Sequence, residues 1–280
     1  MLIIDKESAM RQLSRIMLGA ALLAPAALSA QGRQTERDAF TLSERVPQGQ
    51  WIRVRNINGE MRVRASTSDK VEITATKSWR RGDPKDVTIE TKKGSDGSIL
   101  VCAIWTNTNT VCTEDRYSSR SDDRHERWGD RDRNDVAVEF EIRVPKGVKV
   151  GVWSVNGGVS VDGVTNEVRA GTVNGSVDAV STGGPVQAST VNGSVRATMG
   201  RLDGDQDLNF STVNGTVVAE FSGDIDADID LSTVNGRFQT DWPVTITGRI
   251  DPRHLRATLG KGGRRIRLST VNGNVELRKR

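Results

Sequence analysis

The chain of 280 residues has room for one large domain or two ordinary ones. An apolar content of 35% with 28 glycines and 4% aromatics suffices for a core, but not for a thick helical one. Forty Lys and Arg against 36 Asp and Glu leave too small a surplus for a nucleic-acid footprint, and two His with two Cys exclude a zinc ribbon, a His-based metal cage and a Cys-rich scaffold.

Arg11 and Arg15 precede an uncharged, mostly apolar stretch, residues 16–30, that ends Ala27-Leu28-Ser29-Ala30. This is the pattern of a secretory signal peptide, residues 1–30, cut after Ala30. The run is interrupted by Pro25 and falls short of the roughly twenty residues a membrane-spanning helix needs. Asp5 and Glu7 sit ahead of the basic residues, which makes Met10 a tidier start than Met1. The expected location is the periplasm, the cell surface or the medium, with no membrane span once the signal is removed.

Residues 31–49 read as a linker and first strand. Trp51-Ile52-Arg53-Val54-Arg55, Val71-Glu72-Ile73-Thr74-Ala75 and Val136-Ala137-Val138-Glu139-Phe140-Glu141-Ile142 alternate as strands do. Helix is nearly excluded after residue 40, with only pieces such as residues 251–257 free of strand and turn signals. Cys102 and Cys112 flank a Thr/Asn turn and, in an oxidising compartment, close a small hairpin loop; two buried free thiols are the competing reading. Residues 116–135 are dense in mixed charge without apolar periodicity, the pattern of a mobile surface loop.

From residue 151 to 280 a repeat dominates. [Ser/Thr]-Val-Asn-Gly-x-[Val/Phe] occurs six times, with corners Asn156-Gly157, Asn174-Gly175, Asn192-Gly193, Asn214-Gly215, Asn235-Gly236 and Asn272-Gly273. The asparagines are 18, 18, 22, 21 and 37 residues apart, so the last interval reads as two periods with one motif lost. A diverged copy at Asn58-Gly59 stands alone near the mature N-terminus. Asn-Gly readily supplies a positive φ, so each copy is strand, tight turn, strand, and a second turn follows seven to ten residues after several of the asparagines. The expectation is an all-β chain, residues 50–280 forming one β-solenoid of 18–22-residue coils with Asn-Gly corners and a less regular N-terminal half. A hairpin meander or sandwich is the other arrangement. Near-identical corners favour stacking, which would put Asn over Asn in a ladder and Val over Val in a narrow interior.

The chemistry-bearing residues are sparse. Asp203, Asp205 and Asp207 have the alternate-residue oxygen spacing of a calcium loop but lack its Gly at position six and Glu at position twelve. Asp224, Asp226, Asp228 and Asp230 alternate with Ile and Ala, as on a strand with one solvated face. Two carboxylates at glycosidase spacing could arise on any acidic strand of a stack. There is no Gly-x-Ser-x-Gly elbow and no phosphate-cradling Gly-x-x-x-x-Gly-Lys, while His125 and His254 are far apart in sequence. No catalytic residue and no cofactor is therefore expected. Trp51, Trp79, Trp105, Trp128, Trp153 and Trp242 make up half of the aromatics, and such rings either stack on sugars and partners or fill the ends of the stack.

Residues 54–277 resemble the bacterial family of exported β-strand-repeat proteins of unknown function known as putative adhesins. The resemblance rests on the iterated Ser-Thr-Val-Asn-Gly-x-Val, on Arg143-Val144-Pro145-Lys146-Gly147-Val148 and on the ending Leu268-Ser269-Thr270-Val271-Asn272-Gly273-Asn274-Val275-Glu276-Leu277. It implies a β-helix-like fold in the cell envelope and brings no catalytic residues; residues 116–135 are an insertion relative to its pattern. The function expected is a non-enzymatic structural or adhesion-type binding module, its partner a polysaccharide or an envelope protein, with self-association through an exposed end strand open. A polysaccharide-processing enzyme and a calcium-stabilised scaffold are the alternatives.

Overall fold

The alternation of apolar and polar residues sends one side of each strand inward and the other to solvent, and the computed structural model follows it almost throughout. The structure describes residues 33–106, 108–121, 135–200, 205–244 and 251–280. The signal segment with Ala30, calcium candidate Asp203, and residues 122–134 of the charged segment lie outside these. Among the described residues there is no α-helix, and one 3-10 turn, Pro84–Asp86, lies between strands.

The strands in chain order are β1 (Gln34–Glu44), β2 (Trp51–Arg55), β3 (Met61–Ser66), β4 (Val71–Trp79), β5 (Val87–Lys93), β6 (Ile99–Trp105), β7 (Thr108–Cys112), β8 (Tyr117–Ser121) and β9 (Ala137–Pro145). Then come β10 (Lys149–Trp153), β11 (Val159–Val164), β12 (Val168–Gly171), β13 (Val177–Ser181), β14 (Val186–Ser189), β15 (Val195–Met199), β16 (Leu208–Ser211) and β17 (Val217–Phe221). The chain finishes with β18 (Ala227–Asn235), β19 (Phe238–Thr240), β20 (His254–Leu259), β21 (Arg265–Asn272) and β22 (Val275–Lys279).

These strands build two ten-stranded sheets, neither closed, and a separate β7–β8 ribbon. Sheet A runs β1-β4-β9-β3-β11-β13-β15-β17-β22-β19, and sheet B runs β20-β18-β21-β16-β14-β12-β10-β2-β6-β5. Each repeat contributes one strand to sheet B, turns at its Asn-Gly, and contributes the next to sheet A, so repeats pair in parallel with their equivalents: Val159 with Val177, Val177 with Val195, Val195 with Val217. These valines are buried, as are Val150, Val168 and Val186 opposite. Burying each stabilises the fold by about 1.5–3 kcal/mol. The valine within the corner itself points the other way: Val191, Val213, Val234 and Val271 are 39–50% exposed.

Two features of chain order differ from the sequence expectation. The Asn58 copy does not stand alone, because β2 and β3 pair directly with β10 and β11, while β4 and β9 extend sheet A and β5 and β6 extend sheet B at that end. The 37-residue interval holds no extra parallel coil among the described residues. After β19 the chain returns as β20, antiparallel to β18, and the last repeat, β21–β22, inserts between β16–β17 and β18–β19. Residues 251–257, where a helical turn was allowed, open β20 instead, because Leu255 and Ala257 alternate toward the core. Antiparallel strands thus cover both ends of sheet B and one end of sheet A.

The cysteines also do more than close a hairpin. Cys102 and Cys112 are disulfide-bonded, but β7 pairs with β8 and not with β6. The bond therefore ties the ribbon across the outer face of sheet B, where Leu100, Cys102, Ile104, Cys112 and Tyr117 form a small second core. The Tyr117 hydroxyl donates to the Ala103 carbonyl at 2.5 Å, and burial raises its pKa. Tyr117–Ser121, within the segment read as a mobile loop, is strand.

Candidate functional site

The corner residues form three parallel files. Asn156, Asn174, Asn192, Asn214, Asn272 and Asn235 each donate a side-chain amide to the side-chain carbonyl oxygen of the asparagine before it in the file, the first accepting residue being Asn58, at 2.7–2.8 Å. The buried Thr172, Thr190, Thr212, Thr270 and Thr233 donate to the glycine carbonyls Gly157, Gly175, Gly193, Gly215 and Gly273 at 2.8–2.9 Å. Gly157, Gly175, Gly193, Gly215 and Gly273 have φ between +148° and +154°, and a Cβ on any of them would run into the neighbouring coil's glycine carbonyl, as one on Gly59 would into Val138. Gly236 is likewise pressed against Gly273. Where Thr is absent, in the first copy, buried Asn56 reaches the Val138 carbonyl at 2.8 Å. These residues tie each repeat to its neighbour in the sheets.

A different set of residues makes a groove of about 300 Å³ on the outer face of sheet B. Parallel pairing aligns two rows there. Arg53, Gly151, Arg169, Gln187, Asn209 and Arg267 form one, continued by Asp230 and Arg256; Arg55, Trp153, Gly171, Ser189, Ser211 and Ser269 form the other. Glycine at an outward strand position leaves room for something else. Trp153 lies across Gly171 where a Cβ would overlap its ring, and Arg53 and Trp51 lean over Gly151, where a Cβ would come 3.2 Å from Arg53 Cγ.

Trp51 is ringed by cations, with Arg53 at 4.7 Å, Arg169 at 4.8 Å and Lys149 at 5.5 Å from its centroid. Buried Glu167, its side chain 6% exposed, anchors Arg169 Nη2 at 2.8 Å and Lys149 at 3.4 Å. One wall is the Thr113–Arg116 turn of the disulfide-tied ribbon. There Glu114 pairs with Arg53 at 3.0 Å and offers its backbone carbonyl to Arg55 Nη2. Burial and the neighbouring Arg53 lower the Arg55 pKa, against the pull of Asp115. The arrangement offers ring faces, guanidiniums, amides and hydroxyls on one sheet face, groups suited to holding a ligand.

The acidic residues are engaged in structure. A second groove of about 480 Å³, farther along the same face, holds Asp228, Asp230, Arg256, Arg265 and Arg267. Asp230 meets His254 Nε2 at 2.7 Å, Arg267 at 3.4 Å and Arg256 at 3.8 Å. Burial pushes its pKa up, but the His254 hydrogen bond and the two arginines outweigh this and leave it lowered. Asp228 accepts from Thr258 at 2.8 Å, Asp226 from the Lys261 amide at 2.8 Å, and Asp224 pairs with Lys279 at 2.7 Å. Neither Asp224 nor Asp230 has the raised pKa of a general acid in glycoside hydrolysis. Of the calcium candidates, Asp207 accepts from the Arg265 amide at 3.0 Å and Asp205 is exposed; among the described residues no three His, Cys, Asp or Glu cluster as a metal site.

Trp51 and Trp153 thus come together, whereas Trp105 and Trp242 are buried, the latter edge-on to Phe221 at 6.2 Å, and Trp128 lies outside the described residues. Sequence reading did not single out Arg55, Arg169, Gly151 or Gly171. The available signal was a glycine at an outward position in two successive repeats, each matched to an aromatic or arginine one strand away.

No family model and no curated protein matches the chain. Among solved structures it is similar to a putative cell adhesion protein from Clostridium sporogenes, at 8% identity and a TM-score of 0.41, covering 89% of this chain and 100% of that one. It is similar to a putative adhesin from Bacteroides fragilis, at 11% identity and a TM-score of 0.39, covering 89% and 99%. A third, a putative adhesin from Parabacteroides distasonis, has 9% identity and a TM-score of 0.25, covering 89% and 98%. All three carry names of the kind borne by the family that the Val-Asn-Gly repeat resembles.

Proposed function

We propose that the chain is an exported β-solenoid that acts by binding, an adhesion-type or structural module of the bacterial cell envelope whose partner is a polysaccharide. The solenoid reading is supported by repeats that alternate between two sheets and pair in parallel at matched registers. Export is supported by the disulfide, which persists in oxidising compartments. No helix of the described residues is long and apolar enough to cross a membrane. The observation that carries the binding role is the pairing of Trp51 and Trp153 with Arg53, Arg55 and Arg169 in one open groove on the flat face of sheet B. The test is a panel of envelope and extracellular polysaccharides, scored for both binding and product release. Saturable binding without product, abolished by Trp153→Ala in a variant that still melts cooperatively, is the expected result. Silence across the panel would remove the polysaccharide and leave a structural or protein-binding role.

A second reading, a polysaccharide-processing enzyme, draws on the groove that sets Asp228 and Asp230 among arginines. Released product that disappears in Asp230→Asn would establish it in place of the first.

A further inference from the structure

The groove around Trp153 is lined by three arginines, Arg53, Arg55 and Arg169, against two carboxylates, Glu114 and Asp115, so it is cationic by one charge. Arg55 stands opposite Trp153 across the β2–β10 pair. Its Nε is buried and has no hydrogen-bond acceptor among the described residues. Its Nη2 is held by a neutral backbone carbonyl of Glu114, while the Glu114 carboxylate is taken by Arg53. A cation buried with an unmatched N–H is costly, and an anionic oxygen brought up to the Arg55 guanidinium from the groove offsets the burial of its charge. Arg169 lines the same groove with its side chain 56% exposed, though Glu167 occupies part of its fork.

Next to these cations are a Trp face and the polar Gln187, Ser189 and Asn209, matching the apolar faces and hydroxyl edges of a sugar ring. The row does not stop at the groove. It runs strand by strand from Arg53 to Arg256, about 34 Å at about 4.8 Å per strand, with Arg53 and Arg169 toward one end, the amides of Gln187 and Asn209 in the middle, and Arg267 and Arg256 flanking Asp230 at the other.

We propose that the ligand of this face is an acidic polysaccharide, a uronate polymer whose carboxylates are taken by Arg55 and Arg169 while a ring lies on Trp153. The proposal rests on the binding-module reading above and narrows it to one charge class. The chain length such a ligand spans follows from the row: several sugars, laid along the stacking direction and not across it.

The experiment compares polygalacturonate, its methyl-esterified form and neutral dextran as ligands of the disulfide-bonded protein, by titration calorimetry in calcium-free buffer. The first two share a backbone and differ in carboxylate charge. The expected result is binding of polygalacturonate at least tenfold tighter than its ester, weakening as salt is raised, and a further loss of about tenfold in Arg55→Gln and in Arg169→Gln. Arg169→Gln, on the surface, serves as the variant whose fold is least disturbed. Equal affinity for the acid and the ester, or full affinity in the Arg55→Gln/Arg169→Gln double variant, would overturn the acidic class while leaving the binding module standing. Failure of all three polymers to bind would overturn the acidic-polysaccharide proposal alone, and the binding-module reading would then be decided by the wider panel.

Discussion

Replacing Gly193 by Ala tests whether the files of glycines are required by contact between coils or by turn conformation alone. Gly193 has φ +152°, a region open essentially to glycine, and a Cβ there would strike the Gly175 carbonyl. That carbonyl accepts the buried Thr190 hydroxyl at 2.8 Å. The backbone conformation costs about 1–3 kcal/mol for a non-glycine residue, and displacing the carbonyl adds about 1 kcal/mol for the strained Thr190 bond, so about 2–4 kcal/mol in all. For a chain of this size each kcal/mol lowers Tm by about 2–4 °C, giving a fall of about 5–15 °C. Gly223 is the internal control: its φ is +85°, yet a Cβ there would meet nothing within 4 Å. Gly223→Ala should cost about 1 kcal/mol, or about 2–4 °C. Calorimetric melting of the two variants beside the parent reads the difference directly. Equal losses in the two would refute the argument, because the steric clash exists only at Gly193.

Three other perturbations have defined outcomes. Reducing the disulfide, or Cys112→Ser, opens a loop with a sequence separation of 10 and should lower stability by about 2–3 kcal/mol, read as a shift of the urea midpoint. Deleting residues 264–280 removes the pairing partner of β16, β17, β18 and β19 together, so hydrogen exchange should show loss of protection on both sides of the gap and not only at the end of the chain. The pKa values of Asp230 and Asp135 are both lowered: Asp230 because His254, Arg267 and Arg256 outweigh burial, Asp135 chiefly because it accepts the Gly82, Arg81 and Arg80 amides. A depressed folded pKa stabilises fully above the unfolded value of about 4 and is lost as pH falls through the lower folded value, so stability should be flat from about pH 7 to 5 and decline below about pH 4. Asp230→Asn should be less stable at pH 7 and show a shallower acid decline.

The sequence carried most of what local pattern can carry. β2 was read residue for residue from Trp51-Ile52-Arg53-Val54-Arg55, because alternation with β-branched residues leaves no competing element. The Asn-Gly turns were visible for the same reason, since their φ requirement is local. Three things were not. The order of repeats in the two sheets depends on which strand pairs with which, and the identical Leu-Ser-Thr-Val-Asn-Gly of residues 231–236 and 268–273 contains no label saying which lies inside. The corner valines look like core in a hydrophobic pattern, yet the turn swings them outward. The groove joins residues from β2, β10, β12, β14 and β16 that are up to 158 positions apart, and only the parallel register puts Arg55 beside Trp153 and Trp153 over Gly171. The candidate carboxylates were conspicuous in sequence because acidic residues draw attention. In the structure their partners are ordinary: a lysine, an amide, a threonine, a histidine with two arginines.

The inserted position of β21–β22 sets an order on assembly. A chain leaving the ribosome or an export channel presents β18 and β19 before β21 and β22, yet the finished molecule needs the later pair between the earlier one and β17. Coils up to β17 can add one upon another as they emerge, each templated by the last. β18 and β19 cannot join that growing column at their final place; they must wait, or dock on β16 and β17 and be displaced. Completion therefore depends on the last strands of the chain, since β18 and β19 reach their final neighbours only once β21 and β22 have entered the sheets beside β16 and β17.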